Sequence, residues 1–250
     1  MVISHRYRFI FVKTGRTAGT SIEVFLSSVC GPEDVLTPFS EPEEGHRPRN
    51  YAGFFNPFPE LVEQATLAGG VQGARLRLTL NDLLRRRKFY HHIPAWQVQM
   101  RSPRCVWAEY FKFCVERNPW DKAVSGWYWH NHKYGGRTSL DQYLDLLRDR
   151  SRSRAPGVGA YPLNYPNYTH PRSGRLMLDR VLRYENLEQE LVPILAQLGI
   201  PAEGALRARA KSGFRKDGGR YQTALSSSQR RVIGELFKEE IQLHDYRFDD

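Results

Sequence analysis

The sequence predicts an α/β fold in which a central, mainly parallel sheet is flanked by helices. Three observations predict it. Short apolar runs stand at Arg8–Lys13, Phe111–Glu116 and Val181–Tyr184, separated by segments of helical period. Each run leads into a loop and then an amphipathic stretch, the order of a strand–loop–helix unit. A chain of 250 residues, 40% hydrophobic and 26% charged, can bury a core without disulfides or metal, and it reads as one domain over 1–250.

Taken in order, Arg8–Lys13 is a strand of β-branched and aromatic residues that runs into a loop of small residues, Thr14 to Ser21. Ile22, Phe25 and Leu26 follow at helical spacing, with Thr20 and Ser21 placed to cap the helix. From Gly31 to about Arg75 the chain is rich in Pro, Gly and Glu. This reads as an irregular insertion over 31–75 with one short helix near Pro59–Ala65, bordering a binding cleft. Asn81 is placed to cap a helix through Arg87, and a second short helix follows Pro94. Phe111–Glu116 is a strand broken by Arg117, Asn118 and Pro119, with Pro119 opening a helix through Trp129. Thr138 or Ser139 caps a helix carrying Leu140, Tyr143, Leu144 and Leu147 on one face, and 151–173 is a loop. Val181–Tyr184 feeds a helix that reaches Leu198 and stops at Gly199. Arg207–Tyr221 is a basic, Gly-containing loop, and Ser226 with Gln229 forms a capping box for a last helix to about Glu240.

Thirteen Phe, 13 Tyr and 5 Trp exclude a disordered chain. No stretch approaches the roughly 18 continuous apolar residues of a membrane span, so the expectation is a cytoplasmic protein with no membrane partner. Cys30, Cys105 and Cys114 offer neither a disulfide framework nor a metal clamp. His130 and His132 are two apart on a helix and diverge, so no metal is expected. The net charge of +10 points to an anionic ligand, a polyanion or a nucleic acid. Arginine outnumbers lysine 29 to 8, which favours bidentate recognition of phosphate or sulfate.

The first loop lacks the GxxxxGK[ST] pattern of nucleoside-triphosphate P-loops, because only three residues separate Gly15 from Gly19 and no lysine follows. It keeps the parts of an anion cradle: the backbone N–H groups of Thr14, Gly15, Arg16, Thr17, Ala18, Gly19, Thr20 and Ser21, a helix N-terminus, and the cations Lys13 and Arg16. Arg117, at the end of a strand, and Ser125, in the following helix, are spaced to hold one phosphate, Arg117 as a fork and Ser125 through its hydroxyl.

The segment Phe11-Val-Lys-Thr-Gly-Arg-Thr-Ala-Gly-Thr-Ser-Ile-Glu23 resembles the 5′-phosphosulfate loop of sulfotransferases that use 3′-phosphoadenosine 5′-phosphosulfate (PAPS). Phe113-Cys-Val-Glu-Arg-Asn-Pro-Trp-Asp-Lys-Ala-Val-Ser125 resembles the same family's 3′-phosphate motif, and Leu182-Arg-Tyr-Glu-Asn-Leu187 is similar to a third landmark. The resemblance implies a P-loop-like nucleotide-binding fold. It also implies transfer of a sulfuryl group from PAPS to the hydroxyl of a carbohydrate or small metabolite, with release of 3′-phosphoadenosine 5′-phosphate (PAP) and without metal. Arg16 stands where the family usually carries a lysine that neutralises the leaving group; Arg16 is the favoured residue and Lys13 the reserve. His92 is the expected base, with His91 and Glu23 as alternatives. Arg215 and Lys216 resemble a late basic loop that closes on the 3′-phosphate. Two other readings share the charge: a catalytically silent relative that binds PAP or another anion, and a basic nucleic-acid-binding protein, the latter not expected.

Overall fold

The computed structural model describes residues 1–66, 73–149, 162–202 and 220–250. At its centre is a sheet of five strands in the order β3-β1-β2-β4-β5. They are β1 (Val2–Ser4), β2 (Phe9–Phe11), β3 (Val35–Leu36), β4 (Phe111–Glu116) and β5 (Arg180–Arg183). The helices of the first half are α1 (Gly19–Val29), α2 (Phe58–Ala65), α3 (Gly73–Leu84), α4 (Ala95–Arg101), α5 (Arg104–Glu109) and α6 (Pro119–Tyr134). They are followed by α7 (Leu140–Arg148), α8 (Tyr165–Tyr168), α9 (Leu187–Gln197), α10 (Tyr221–Ala224), α11 (Ser227–Leu236) and α12 (Lys238–His244).

β2, β4 and β5 run parallel, with Phe11 opposite Phe113 and Val115 opposite Leu182. β1 is antiparallel to both of its neighbours. The sheet is therefore mixed, not mainly parallel. A hairpin too short to read as periodicity is the reason, and one side chain secures its turn. The Asp34 carboxylate accepts from the N–H groups of His5 at 2.6 Å and Arg6 at 3.2 Å, and from Ser4 Oγ at 3.1 Å.

Side chains alternate across the strands as a pleat requires. On one face Phe11, Phe113 and Val115 pack with Ile22 and Leu26 of α1 and Leu191 and Leu195 of α9. On the other, Ile10, Val12 and Cys114 meet Ile93, Val98 and Tyr168. A third cluster joins α6, α7 and α11 through Val124, Leu144, Leu147 and Ile233.

Several elements depart from the sequence reading. α1 starts at Gly19 behind Ala18, which is left-handed (φ 59°), so Thr20 and Ser21 lie in the first turn and do not cap it. Asn81 lies inside α3, whose carboxyl end it helps close by accepting from Arg85 N–H at 3.0 Å. α6 runs on to Tyr134, where left-handed Gly135 stops it. The terminal helix is two, divided at Phe237. The capping boxes at Ser139 and Ser226 are both formed.

Candidate anion-binding site

The loop from Val12 to Ala18 leaves the carboxyl end of β2 and enters α1, beside the carboxyl end of β4, from which Arg117 and α6 depart. Inside the loop Thr14 Oγ1 lies 2.7 Å from Thr17 Oγ1 and also donates to the Val115 carbonyl, tying the loop to β4. Arg16 and Ala18 are both left-handed, at φ 64° and 59°. Gly19 is favoured by contact: a Cβ there would sit 2.9 Å from Lys13 Cγ.

The structure brings the two sequence motifs together. Arg16 Nη2 donates to Ser125 Oγ at 3.0 Å, and Arg117 Nη1 donates to the Arg16 carbonyl at 3.4 Å. The Arg16 guanidinium lies 5.6 Å from the centre of the Trp129 ring, and its Nε is buried with no hydrogen-bond partner. Burial, with the nearby charge of Arg117 adding, lowers its pKa to about 10. A half-satisfied cation beside the amino end of α1 fits an oxyanion.

Other predicted site residues are placed differently from expectation. Lys13 Nζ is 2.7 Å from Glu23 Oε2, and both side chains are buried beneath the loop. The buried carboxylate holds the ammonium as its counter-charge, which leaves Arg16 as the loop's cation and removes Glu23 from the cleft. Arg117 directs Nε and Nη2 at Asp121 Oδ2, at 2.8 and 2.5 Å, so its fork is closed on a carboxylate one helical turn away. His92 is left-handed (φ 58°) and its Nδ1 lies 3.1 Å from the Lys13 carbonyl. A carbonyl only accepts, so Nδ1 carries a proton and donates it to this contact. His91 stacks on His92 at 4.1 Å, and Phe39 stacks on His46 at 3.9 Å behind it. His130 packs its ring 5.5 Å from Tyr143, and among the described residues no three His, Cys, Asp or Glu side chains form a metal cluster. Arg215 and Lys216 lie outside the described residues.

No family model matches the chain. An uncharacterized protein of Archaeoglobus fulgidus is 31% identical over 129 residues, which are 50% of this chain and 98% of the archaeal one. The two chains belong to one family. That family thus contains a member aligning over nearly all its length with half of the present chain, and its description carries no activity.

In this member of the family a buried polar platform, missed in the sequence, lies under the loop. Asn164, Glu116 and Lys122 are all fully buried. Asn164 accepts from Gly15 N–H at 2.7 Å through Oδ1 and donates to the Gly15 carbonyl at 3.1 Å through Nδ2. Its Nδ2 also reaches Glu116 Oε1 at 3.1 Å, where Lys122 Nζ stands at 2.6 Å. Tyr168 closes the set with its hydroxyl 3.1 Å from Glu116 Oε2 and 3.2 Å from His244 Nε2. The available signal was Glu116, a carboxylate that ends a strand of mostly apolar residues and so demands a buried partner. Asn164, in a segment read as loop, carried none.

Proposed function

We propose that this chain is a PAPS-dependent sulfotransferase with a P-loop-like donor site and a hydroxyl-bearing carbohydrate or small metabolite as acceptor. The observation that carries the reading is the hydrogen bond between Arg16 and Ser125. It joins two motifs 109 residues apart at the carboxyl ends of adjacent parallel strands, where α/β sheets bind ligands.

In this reading the N–H groups from Arg16 to Ser21 and the amino end of α1 receive the phosphosulfate, and Arg16 offsets charge on the departing phosphate. Ser125 and Arg117 take the 3′-phosphate, for which Arg117 must exchange Asp121 for phosphate. His92 Nε2 accepts the acceptor's hydroxyl proton while the new O–S bond forms. The S–O bond to the 5′-phosphate breaks and PAP leaves with the electron pair. Positioning and charge stabilisation supply the catalysis, as in phosphoryl transfer.

A second reading, a silent relative that binds PAP without transfer, is favoured by the Arg117–Asp121 pairing and by Arg16 in place of lysine. Calorimetric titration with PAP, AMP and ATP, followed by acceptor screening with PAPS, tests both. The expected result is PAP binding at least about tenfold tighter than AMP, a difference of about 1.4 kcal/mol. Equal or absent binding overturns the donor site; selective PAP binding without turnover in any screened acceptor leaves the silent relative.

A further inference from the structure

The helices α2 and α3 are inside out. On α2 the buried side chains are Glu60, Glu63 and Gln64, while Phe58 and Val62 on the opposite side are 71% and 61% exposed. On α3 the buried residues Thr79 and Asp82 face inward, and Leu80 and Leu84, one turn apart, face solvent, Leu84 at 83% exposure. The polar interior is paired apart from Gln64 Oε1, which is buried without a hydrogen-bond partner. Glu60 binds the Arg101 guanidinium through both oxygens, Asp82 joins at 3.2 Å, and Gln64 donates to Thr79 at 3.0 Å. Side chains of this size left on the outside of a helix pair mark a contact surface.

Charge selects the occupant. Between Phe54 and Lys88 the acidic residues are Glu60, Glu63 and Asp82, and all three are buried. The cations Arg77, Arg85 and Arg86 are exposed, and the Arg86 guanidinium lies 4.7 Å from the ring centre of exposed Phe54. The outer surface of this segment is therefore apolar and cationic with no exposed carboxylate among its described residues. A second copy docked on the same face by a two-fold axis would oppose like charges. A nucleic acid could stack bases on Phe54 and Phe58 but would leave Val62, Leu80 and Leu84 unmatched.

We propose that α2, α3 and the Phe54 turn form a docking surface for an anionic lipid bilayer, with Phe54, Phe58 and Leu84 entering the interface and Arg85 and Arg86 meeting headgroups. The sequence expectation of no membrane partner rested on the lack of a span. Among the described residues no helix is long and apolar enough to cross a membrane, and a surface contact requires none. The proposal does not rest on the sulfotransferase reading.

Co-sedimentation of the full chain with phosphatidylcholine vesicles, with and without phosphatidylserine, tests it. Binding is expected only with phosphatidylserine and is weakened by salt. Arg85→Gln with Arg86→Gln should lower partitioning roughly 30-fold, two headgroup contacts being lost. Leu84→Ser, at a site too exposed to disturb folding, should lower it roughly tenfold. Absence of binding overturns the proposal, as does equal binding to both vesicle types or binding untouched by these substitutions. Concentration-dependent dimers that Leu84→Ser dissolves, without vesicle binding, would assign the surface to a second copy and overturn it also.

Discussion

The sheet and the α2–α3 pair bury opposite kinds of side chain. Under the sheet Phe11, Phe113 and Val115 are fully buried, whereas under α2 and α3 the buried groups are Glu60, Asp82 and Arg101. The first region is held by apolar area, which is non-directional and tolerant of repacking. The second is held by a few charges whose removal leaves others unpaired in a low-dielectric interior. Hydrophobic pattern therefore locates the first region in the sequence and misplaces the inside of the second.

Arg101→Ala should break this contrast most strongly. Losing the partner of Glu60 and Asp82 should cost about 3–5 kcal/mol in denaturant unfolding, as much as deleting a core aromatic. A loss under about 1 kcal/mol would show that the α2–α3 pair does not depend on its ion pairs. On the catalytic side, His92→Ala should lower turnover about 10²–10⁴-fold with PAP affinity unchanged. A lost PAP affinity would make His92 a structural support of the loop through the Lys13 carbonyl.

Arg117→Ala should weaken PAP by about 1.5–3 kcal/mol. The sharper variant is Asp121→Asn, which releases the Arg117 fork and should tighten PAP in the same titration. Weaker binding in that variant would show that Asp121 orients Arg117 and does not compete with the ligand. A smaller effect is expected from pH. Burial, with Lys122 and Arg183 adding and Glu116 opposing, holds His244 below its ordinary pKa. The folded state then favours the neutral ring, so its contribution is complete above the unfolded value of about 6.5 and is lost as pH falls below it. His244→Gln should flatten the stability profile in that acid window, as followed by thermal melting. Leu84→Ser closes the series with a stability change within about 0.5 kcal/mol, the opposite of what leucine loss does in the sheet.

β4 was legible because Phe111, Phe113, Cys114 and Val115 cluster within six residues bounded by Arg117, Asn118 and Pro119. The helix starts at Pro119, Ser139 and Ser226 were legible because caps are local chemistry. β1 and β3, of three and two residues, are strands only because the sheet and Asp34 hold them. The loop and its phosphate-spaced partners could be read as motifs, yet Lys13 turned inward because Glu23, ten residues on, is buried and needs its charge. Nothing in sequence spacing announces that Arg117 meets Asp121 before any ligand does.

The pairing of Asn164 with Gly15 spans 149 residues of chain. During synthesis the loop leaves the ribosome well before the amide that fixes its shape. The loop, Arg117 and Asn164 can therefore take their final arrangement only once β4 and α8 have joined β2, so the loop's shape is a late event in folding and not a property of the first strand–loop–helix unit alone.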